Sequence, residues 1–171
     1  MFIDTCTLAS GARVDPDVCI VGAGAAGITI AYELAGSQRR VCLLESGGLE
    51  HDAATQSLYK GRNVGLPYYE LDELRLRYFG GTTNHWSGIS RPLEDIDFEP
   101  GSWVPHSGWP LLRVELEPFY RRAHTVCELG PYDYDVSAIE RPGEHVMPLD
   151  GARVQTSIYR RSRPTRFGQA Y

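Results

Sequence analysis

Residues 17–27 read DVCIVGAGAAG, and residues 41–45 read VCLLE. Each stretch contains a short apolar run, Val18–Val21 in the first and Val41–Leu44 in the second, which is typical of a buried parallel strand. Apolar residues between the two runs recur at helical spacing, and a glycine suited to end a helix follows them. They are Ile28, Ala31, Leu34 and Ala35, followed by Gly36. The pattern predicts a β-α-β unit and an α/β fold class.

The turn between the first strand and the helix has the spacing G-x-G-x-x-G, at Gly22, Gly24 and Gly27. Gly22 permits a sharp turn, Gly24 leaves the backbone open to a pyrophosphate, and Gly27 lets the helix pack close to the strand. Ala25 and Ala26 open the helix, where free N–H groups and the helix dipole favour a bound phosphate. The turn therefore predicts a phosphate-binding site at this helix start.

An acidic residue follows the second strand at the position that such a site requires. Glu45 lies 23 residues after Gly22, near the usual spacing of about 20, and Ser46 comes directly after it. A carboxylate here can accept hydrogen bonds from a ribose diol and would repel a 2′-phosphate. An ordinary β-α-β unit with a tight turn is the alternative, but it does not require three glycines and an acid in register. The sequence thus predicts a Rossmann-like dinucleotide-binding domain.

A second unusual motif lies at residues 78–88, which read YFGGTTNHWSG. Its two glycines allow close backbone approach to a ligand, and the polar residues after them supply hydroxyl and amide groups. A histidine and a tryptophan then add an imidazole and a large aromatic face. Taken alone, the motif is also consistent with a glycine-rich turn and a half-buried tryptophan. The candidate cofactor-binding residues here are Gly80, Gly81, Thr82, Thr83, Asn84, His85 and Trp86.

Together the two motifs resemble the glucose–methanol–choline (GMC) oxidoreductase family, closest to its bacterial and pyranose-oxidase-like members. Three further stretches match and extend the resemblance over most of residues 14–171: SGWP at 107–110, ELEPFY at 115–120 and PTRFG at 164–168. The resemblance implies that FAD is the cofactor. It also implies oxidation of the CH–OH group of a small-molecule alcohol or sugar, with hydride passing to flavin N5.

The resemblance further implies that the His-Trp element lies against the flavin. In the pyranose-oxidase-like branch, threonine directly precedes a histidine that is bonded to the flavin, whereas Asn84 precedes His85 here. A covalent link at His85, a non-covalent contact and a structural role therefore all stay open. The proton-accepting histidine of the family lies near its C-terminus, beyond Tyr171, so no catalytic residue is assigned. His106, His124 and His145 do not match that motif.

Three regions are expected: a lead-in at 1–16, the FAD-binding part at 17–100, and the start of a substrate or cap region at 101–171. The sheet looks incomplete with so few strands, so we expect a fragment of a protein of roughly 500 residues, enough for several domains. Little or no turnover is expected from this chain alone. Two other readings are a nicotinamide-dependent dehydrogenase, which the glycine turn alone permits, and a non-catalytic nucleotide-binding remnant.

Composition narrows the function class. The 171 residues carry a net charge of −5, which disfavours a nucleic-acid surface. No apolar stretch is long enough for a membrane span, and residues 1–16 lack the features of a secretory signal, so a cytoplasmic location is expected. The four cysteines form no C-x-x-C, which argues against a zinc site and against dithiol chemistry, and Cys19 and Cys42 are expected to act as small core hydrophobes. The sequence does not indicate an oligomeric state.

Local patterns give further expectations for residues 71–171. Leu71, Leu74 and Tyr78 keep a helix-like spacing. A helix is predicted over Val114–Glu128, with Pro118 in its first turn or starting a separate helix, and Gly130-Pro131 ending it.

Alternation at Val154, Thr156 and Ile158 predicts a strand. His124 is expected to be solvated, because its helix is rich in Arg and Glu. Trp103 and Trp109 either line a sugar-sized pocket or pack a loop, and the second reading is preferred.

Overall fold

A computed structural model describes residues 1–139, 143, 145–163 and 165–171. Pro164, the first residue of the matching stretch PTRFG, lies outside the described residues. The chain divides into two units: the first comprises residues 1–84 with 167–169 and 171, and the second comprises residues 85–166 with 170. The division thus follows Asn84, whereas the sequence predicts a boundary at residue 100. The functional assignment of those regions stays a prediction.

The first unit contains the expected β-α-β arrangement. Strand β1 (Val18–Val21), helix α1 (Ala25–Leu34) and strand β2 (Val41–Leu44) follow one another in the chain. The two strands pair in parallel, with Val18 opposite Val41 and Val21 opposite Leu44. The α/β fold class with a small parallel sheet is therefore confirmed.

Helix α1 packs on one face of this sheet. Ile20 and Ile28 are buried between the helix and the strands, and Leu43 contributes to the same side. The opposite face carries Val21 and Leu44, which are 83% and 44% exposed. The helix ends at Leu34 because Ala35 is already extended. The sheet is therefore apolar on both faces, while α1 covers one of them.

The rest of the first unit consists of short elements. Helices α2 (Ala53–Gln56) and α3 (Leu71–Leu74) are single turns. The helix-like spacing that extended to Tyr78 continues no further than Leu74, because Arg75 adopts an extended conformation. Short 3₁₀ turns lie at Thr5–Thr7, Ser57–Tyr59 and Gly81–Asn84. Helix α5 spans Phe167–Ala170, and all but its last residue belong to this unit.

The second unit is organised around one longer helix. Strands β3 (Ile89–Ser90) and β4 (Arg160–Arg161) pair antiparallel, and helix α4 spans Arg113–Val126. The strand predicted from Val154 to Ile158 is wrong, since the alternating side chains gain no partner strand there and the ladder begins only at Arg160. Short 3₁₀ turns lie at Asp95–Phe98 and Val136–Ile139.

Helix α4 confirms the predicted helix but not its internal details. Pro118 lies within one continuous helix, past its first turn, so both readings of this proline are wrong. A proline there removes a single backbone bond, the one to the carbonyl of Val114. The helix ends at Val126, earlier than Gly130-Pro131, because Glu128 takes a left-handed conformation with φ of 52°.

His124 is buried, so the expectation of a solvated side chain is wrong. Its Nδ1 lies 3.0 Å from the carbonyl oxygen of Gly130, and its Nε2 lies 2.9 Å from the hydroxyl of Tyr134. Tyr132 packs edge-on against the imidazole and donates a 2.8 Å hydrogen bond to Glu117. Burial, followed by that bond, raises the pKa of Tyr132 to about 12. This aromatic cluster holds the loop after α4 against the helix.

Candidate functional site

The glycine turn brings the end of β1 and the start of α1 into close contact. Gly22 has φ of 97°, which an L side chain rarely adopts. A Cβ at Gly27 would lie 1.9 Å from the carbonyl oxygen of Gly22 and 3.4 Å from Cγ2 of Ile20. The helix can therefore lie this close to the strand only with glycine at position 27, as the sequence analysis expected.

Gly24 differs from its two neighbours in the turn. It is the N-cap of α1, with φ of −82°, and a Cβ placed on it would meet no described atom within 4 Å. Helix starts leave several N–H groups without intrahelical partners, and in α1 these belong to the turn that contains Ala25 and Ala26. The open space beside Gly24 is thus next to a helix start suited to bind phosphate.

Glu45 lies beside the turn, as predicted, but its carboxylate is engaged with the protein. Its Oε2 accepts a 2.7 Å bond from the N–H of Ala23. Its Oε1 accepts bonds of 2.8 Å and 3.0 Å from the N–H groups of Ser46 and Gly47, and the Ser46 hydroxyl lies 3.2 Å away. A ribose diol would therefore have to replace one of these protein hydrogen bonds, because the carboxylate is not free.

These bonds also set the charge state of Glu45. Burial by itself raises the pKa of this carboxyl, but the hydrogen bonds from Gly47, Ala23 and Ser46 outweigh burial and leave the pKa below its ordinary value of 4.5. Glu45 is accordingly a carboxylate at neutral pH. By accepting the hydrogen bond from the N–H of Ala23, it holds the end of β2 to the glycine turn.

The second motif meets the first within the same unit. The N–H of Gly80 donates a 2.8 Å hydrogen bond to the carbonyl of Ala23. Gly81 has φ of 53°, and a Cβ there would approach the Cα of Gly24 to 3.1 Å. The two motifs, more than fifty residues apart in sequence, therefore share one backbone cradle. Where the two segments approach most closely, the residue on each side of that cradle is glycine.

The polar side chains of the second motif shape its own loop. Thr82 Oγ1 lies 3.4 Å from the N–H of Leu76, and Thr83 donates a 2.5 Å bond to the carbonyl of Gly80. Asn84 Nδ2 donates a 2.9 Å bond to the carbonyl of Phe79. The hydroxyl and amide groups expected to face a cofactor are thus bonded to nearby backbone. Their direct contact with a cofactor stays a prediction.

His85 and Trp86 belong to the second unit. His85 is exposed. The indole N–H of Trp86 donates a 3.0 Å bond to the carbonyl of Thr165, and the Arg166 guanidinium donates to the carbonyl of Trp86 at 3.2 Å. Trp86 therefore anchors the chain near β4. The predicted cofactor contacts of both residues are untested by this geometry.

Two further glycines, not assigned by the sequence analysis, complete the cradle. A Cβ at Gly47 would lie 2.0 Å from the carbonyl oxygen of Arg77. A Cβ at Gly168 would lie 2.6 Å from that of Phe79, whose N–H donates a 2.9 Å bond to Gly48. Gly47 directly follows Ser46, and Gly168 ends the stretch PTRFG that extends the resemblance. The two glycines were visible in the sequence, but no spacing rule connected them with residues 77–80.

Gln56 is the principal residue that sequence reasoning missed. Its buried amide Nε2 donates to the carbonyls of Asp72 and Arg75 at 2.6 Å and 2.5 Å. Its Oε1 accepts a 2.9 Å bond from the N–H of Arg77. One side chain thereby fixes the segment that leads into Gly80. A glutamine in a short polar helix carries no sequence signal for such a role.

The second unit contains an open cleft of about 520 Å³. Trp109, 57% exposed, lines it together with Phe98. Trp103 is 77% exposed and does not line it. The acidic residues Asp95, Glu99 and Glu115 also line the cleft, yet no group of three or more residues that could hold a metal ion occurs among the described residues. No described helix is both long enough and apolar enough to cross a bilayer.

A parallel β-α-β unit with a glycine turn, an open helix start and a carboxylate at the end of β2 defines a dinucleotide-binding protein. The chain belongs to the family of FAD dependent oxidoreductases, whose model (DAO) matches residues 17–157. FAD is accordingly its cofactor, and the cradle fits it, because the space a Cβ would fill at Gly24 is open beside a helix start suited to bind phosphate.

One curated relative is similar over most of this chain. It is 6'''-hydroxyparomomycin C oxidase from Streptomyces lividus, 27% identical over an alignment of 147 residues that covers 75% of this chain and 26% of the relative. The chain thus spans about a quarter of the length of that relative. No solved structure matches the chain significantly.

The GMC family predicted from the resemblance is wrong. The family model that matches is DAO, and neither the model nor the relative supports GMC membership. The glycine turn and the acid after β2 serve dinucleotide binding in many families, so they do not discriminate between families of flavoproteins. The flavin-facing placement of His85 and Trp86, and a covalent link at His85, lose the support they drew from that resemblance.

Proposed function

We propose that this chain holds the ADP half of FAD in an oxidoreductase that oxidises a hydroxyl-bearing small molecule, an alcohol or a sugar. The observation that carries the proposal is the cradle in which Gly80 and Gly81 lie against Ala23 and Gly24. The relative supports the substrate class, because its name specifies oxidation of a hydroxy compound. The family supports the reaction type.

The residues of the first unit would share the binding of the cofactor. The N–H groups of the first turn of α1 would hold the pyrophosphate beside Gly24, and Glu45 would accept a ribose hydroxyl after exchanging one of its present bonds. Gly81 would keep the opposite wall free of side chains. When bound, FAD supplies the hydride acceptor, and this chain supplies position and charge.

Binding of cofactor pieces tests which half of FAD the cradle holds. Purified chain is titrated with FAD, ADP, FMN and NAD⁺ and monitored by calorimetry and by thermal unfolding, because a ligand that binds the folded state raises the melting temperature. We expect FAD to bind, ADP to compete with it, and FMN, which lacks the ADP half, not to compete. Competition by FMN without competition by ADP would contradict the proposal.

A matched pair of glycine substitutions locates the site. Gly24→Ala adds a methyl group where the protein leaves space, and Gly151→Ala adds the same group in open space in the second unit. We expect Gly24→Ala to lower FAD affinity by about 10- to 100-fold, the loss of one charge-assisted hydrogen bond. Gly151→Ala should bind FAD as the unchanged chain does. Equal affinities for both variants would place the cofactor elsewhere.

The proposed reaction is tested in a second assay. Dye reduction in the presence of FAD is measured with a panel of alcohols, sugars and amines. We expect little or no turnover from this chain, since no proton acceptor for a substrate is assigned in it. Robust reduction that depends on an amine and not on an alcohol would contradict the proposed substrate class.

A further inference from the structure

The sheet of the first unit contains two cysteines at facing positions. In the parallel register of β1 and β2, Cys19 lies directly opposite Cys42. Register partners in neighbouring strands project their side chains to the same face of the sheet. Both are free thiols, Cys19 is exposed and Cys42 is half-buried. The expectation that they act only as core hydrophobes therefore does not hold for Cys19.

The spacing of these two residues suits a covalent bond. Neighbouring strands lie about 4.8 Å apart, within the range of about 4.4–6.8 Å between Cα atoms that disulfides span, and forming the bond draws the two Cβ atoms together to about 3.8 Å. The two thiols lie on the face that carries exposed Val21 and Leu44, opposite the face covered by α1. A small reagent can consequently reach Cys19 without passing through the packed side of the sheet.

We propose that Cys19 and Cys42 form a reversible dithiol–disulfide site that reacts with small-molecule disulfides. The thiolate of Cys19 attacks one sulfur of the reagent, which breaks the S–S bond, releases one thiol and leaves a mixed disulfide on Cys19. The thiolate of Cys42 then attacks Sγ of Cys19 and releases the second thiol. The protein thiols lose two electrons and two protons, and the reagent gains both.

The bond would form about 10 Å along the strands from the cofactor cradle. Cys19 stands three residues before Gly22, and Cys42 stands three residues before Glu45. The N–H of Gly22 already donates a 2.7 Å bond to the carbonyl of Leu44, so the strands are joined at this end. A disulfide would close a loop that contains all of α1 and constrain the unfolded chain, which raises the melting temperature by roughly 5–10 °C.

The test uses oxidised glutathione as the probe and mass spectrometry as the readout. A Cys6→Ser/Cys127→Ser variant retains only the facing pair. We expect its free thiols to fall from two to none and to return on addition of dithiothreitol. Trypsin separates the two cysteines into peptides 14–39 and 41–60, so their disulfide appears as one cross-linked peptide.

Adding Cys42→Ser to that variant is the control. It should stop at a glutathione mixed disulfide on Cys19 and give no cross-linked peptide. Glutathione retained on both cysteines, or thiols that do not react, would overturn the proposal. If the double variant does not fold, the same peptides from the unchanged chain decide, and a Cys6–Cys19 link in place of Cys19–Cys42 counts against the pair. The readout does not use FAD, so it is independent of the proposed function.

Discussion

Gly27→Ala tests the closest contact in the site. The added Cβ would lie 1.9 Å from the carbonyl oxygen of Gly22, whereas real Cβ contacts are essentially never below 3.0 Å. The helix start must therefore move by about 1.1 Å away from the strand, since a backbone carbonyl is not a flexible side-chain end. Such a shift also disturbs the packing of Ile20 and Ile28, which are both buried.

Two opposing energies determine the stability of the Gly27→Ala variant. Overpacking of a close-packed site destabilises by about 1–3 kcal/mol, and we take the upper end because the obstacle is backbone. Alanine in a helix is favoured over glycine by about 1 kcal/mol. The net loss is about 2 kcal/mol, which lowers the melting temperature of a chain of this size by about 4–8 °C.

Gly24→Ala, three residues earlier, separates folding from binding. Its N-cap change weakens the helix start by about 0.5–1 kcal/mol, and the lower entropy of the unfolded chain offsets about the same amount. Circular dichroism should show a lower melting temperature only for Gly27→Ala, while calorimetry should show weaker FAD binding for both variants. A Gly27→Ala melting temperature within about 1 °C of the unchanged chain would refute the argument from close packing.

Two further predictions concern buried and half-buried polar groups. Because the pKa of Glu45 is lowered in the folded chain, its contribution to stability is fully present above the ordinary pKa of 4.5 and is lost as the pH falls through the lowered pKa of the folded state. Glu45→Gln should therefore remove about 1 kcal/mol at pH 7 and less at pH 3, measured by urea unfolding. An equal loss at both pH values would contradict this assignment. Gln56→Leu leaves three backbone groups without their partner and should destabilise by about 2–4 kcal/mol and weaken FAD binding, whereas Gln56→Glu retains the acceptor and should lose less. Unchanged FAD affinity in a folded Gln56→Leu variant would show that the amide does not position Gly80.

Features that depend on local spacing were predictable from the sequence. The β-α-β unit, the close approach at Gly27 and the position of Glu45 all follow from periodicity and glycine spacing within residues 17–45. Helix α4 follows from the same kind of pattern. In each case the residues that decide the structure are near one another in the chain.

Features that depend on distant contacts were not predictable. The alternation around Thr156 resembled a strand, but a strand also needs a partner, and Ile89–Ser90 pairs with Arg160–Arg161 instead. His124 was judged from the charged residues of its helix, whereas aromatic residues of the following loop bury it. Family membership was missed for a related reason, because a turn shared by many families carries little information about any one of them.

The exposed sheet face around Val21 has a practical consequence for handling the protein. Exposed apolar patches favour intermolecular association, and net charge opposes it in dilute solution. The charge of −5 at pH 7 vanishes near pH 5.5. Precipitation and light scattering should accordingly be greatest near that pH, so storage buffers well above it, with a thiol reductant, will extend the shelf life of purified samples.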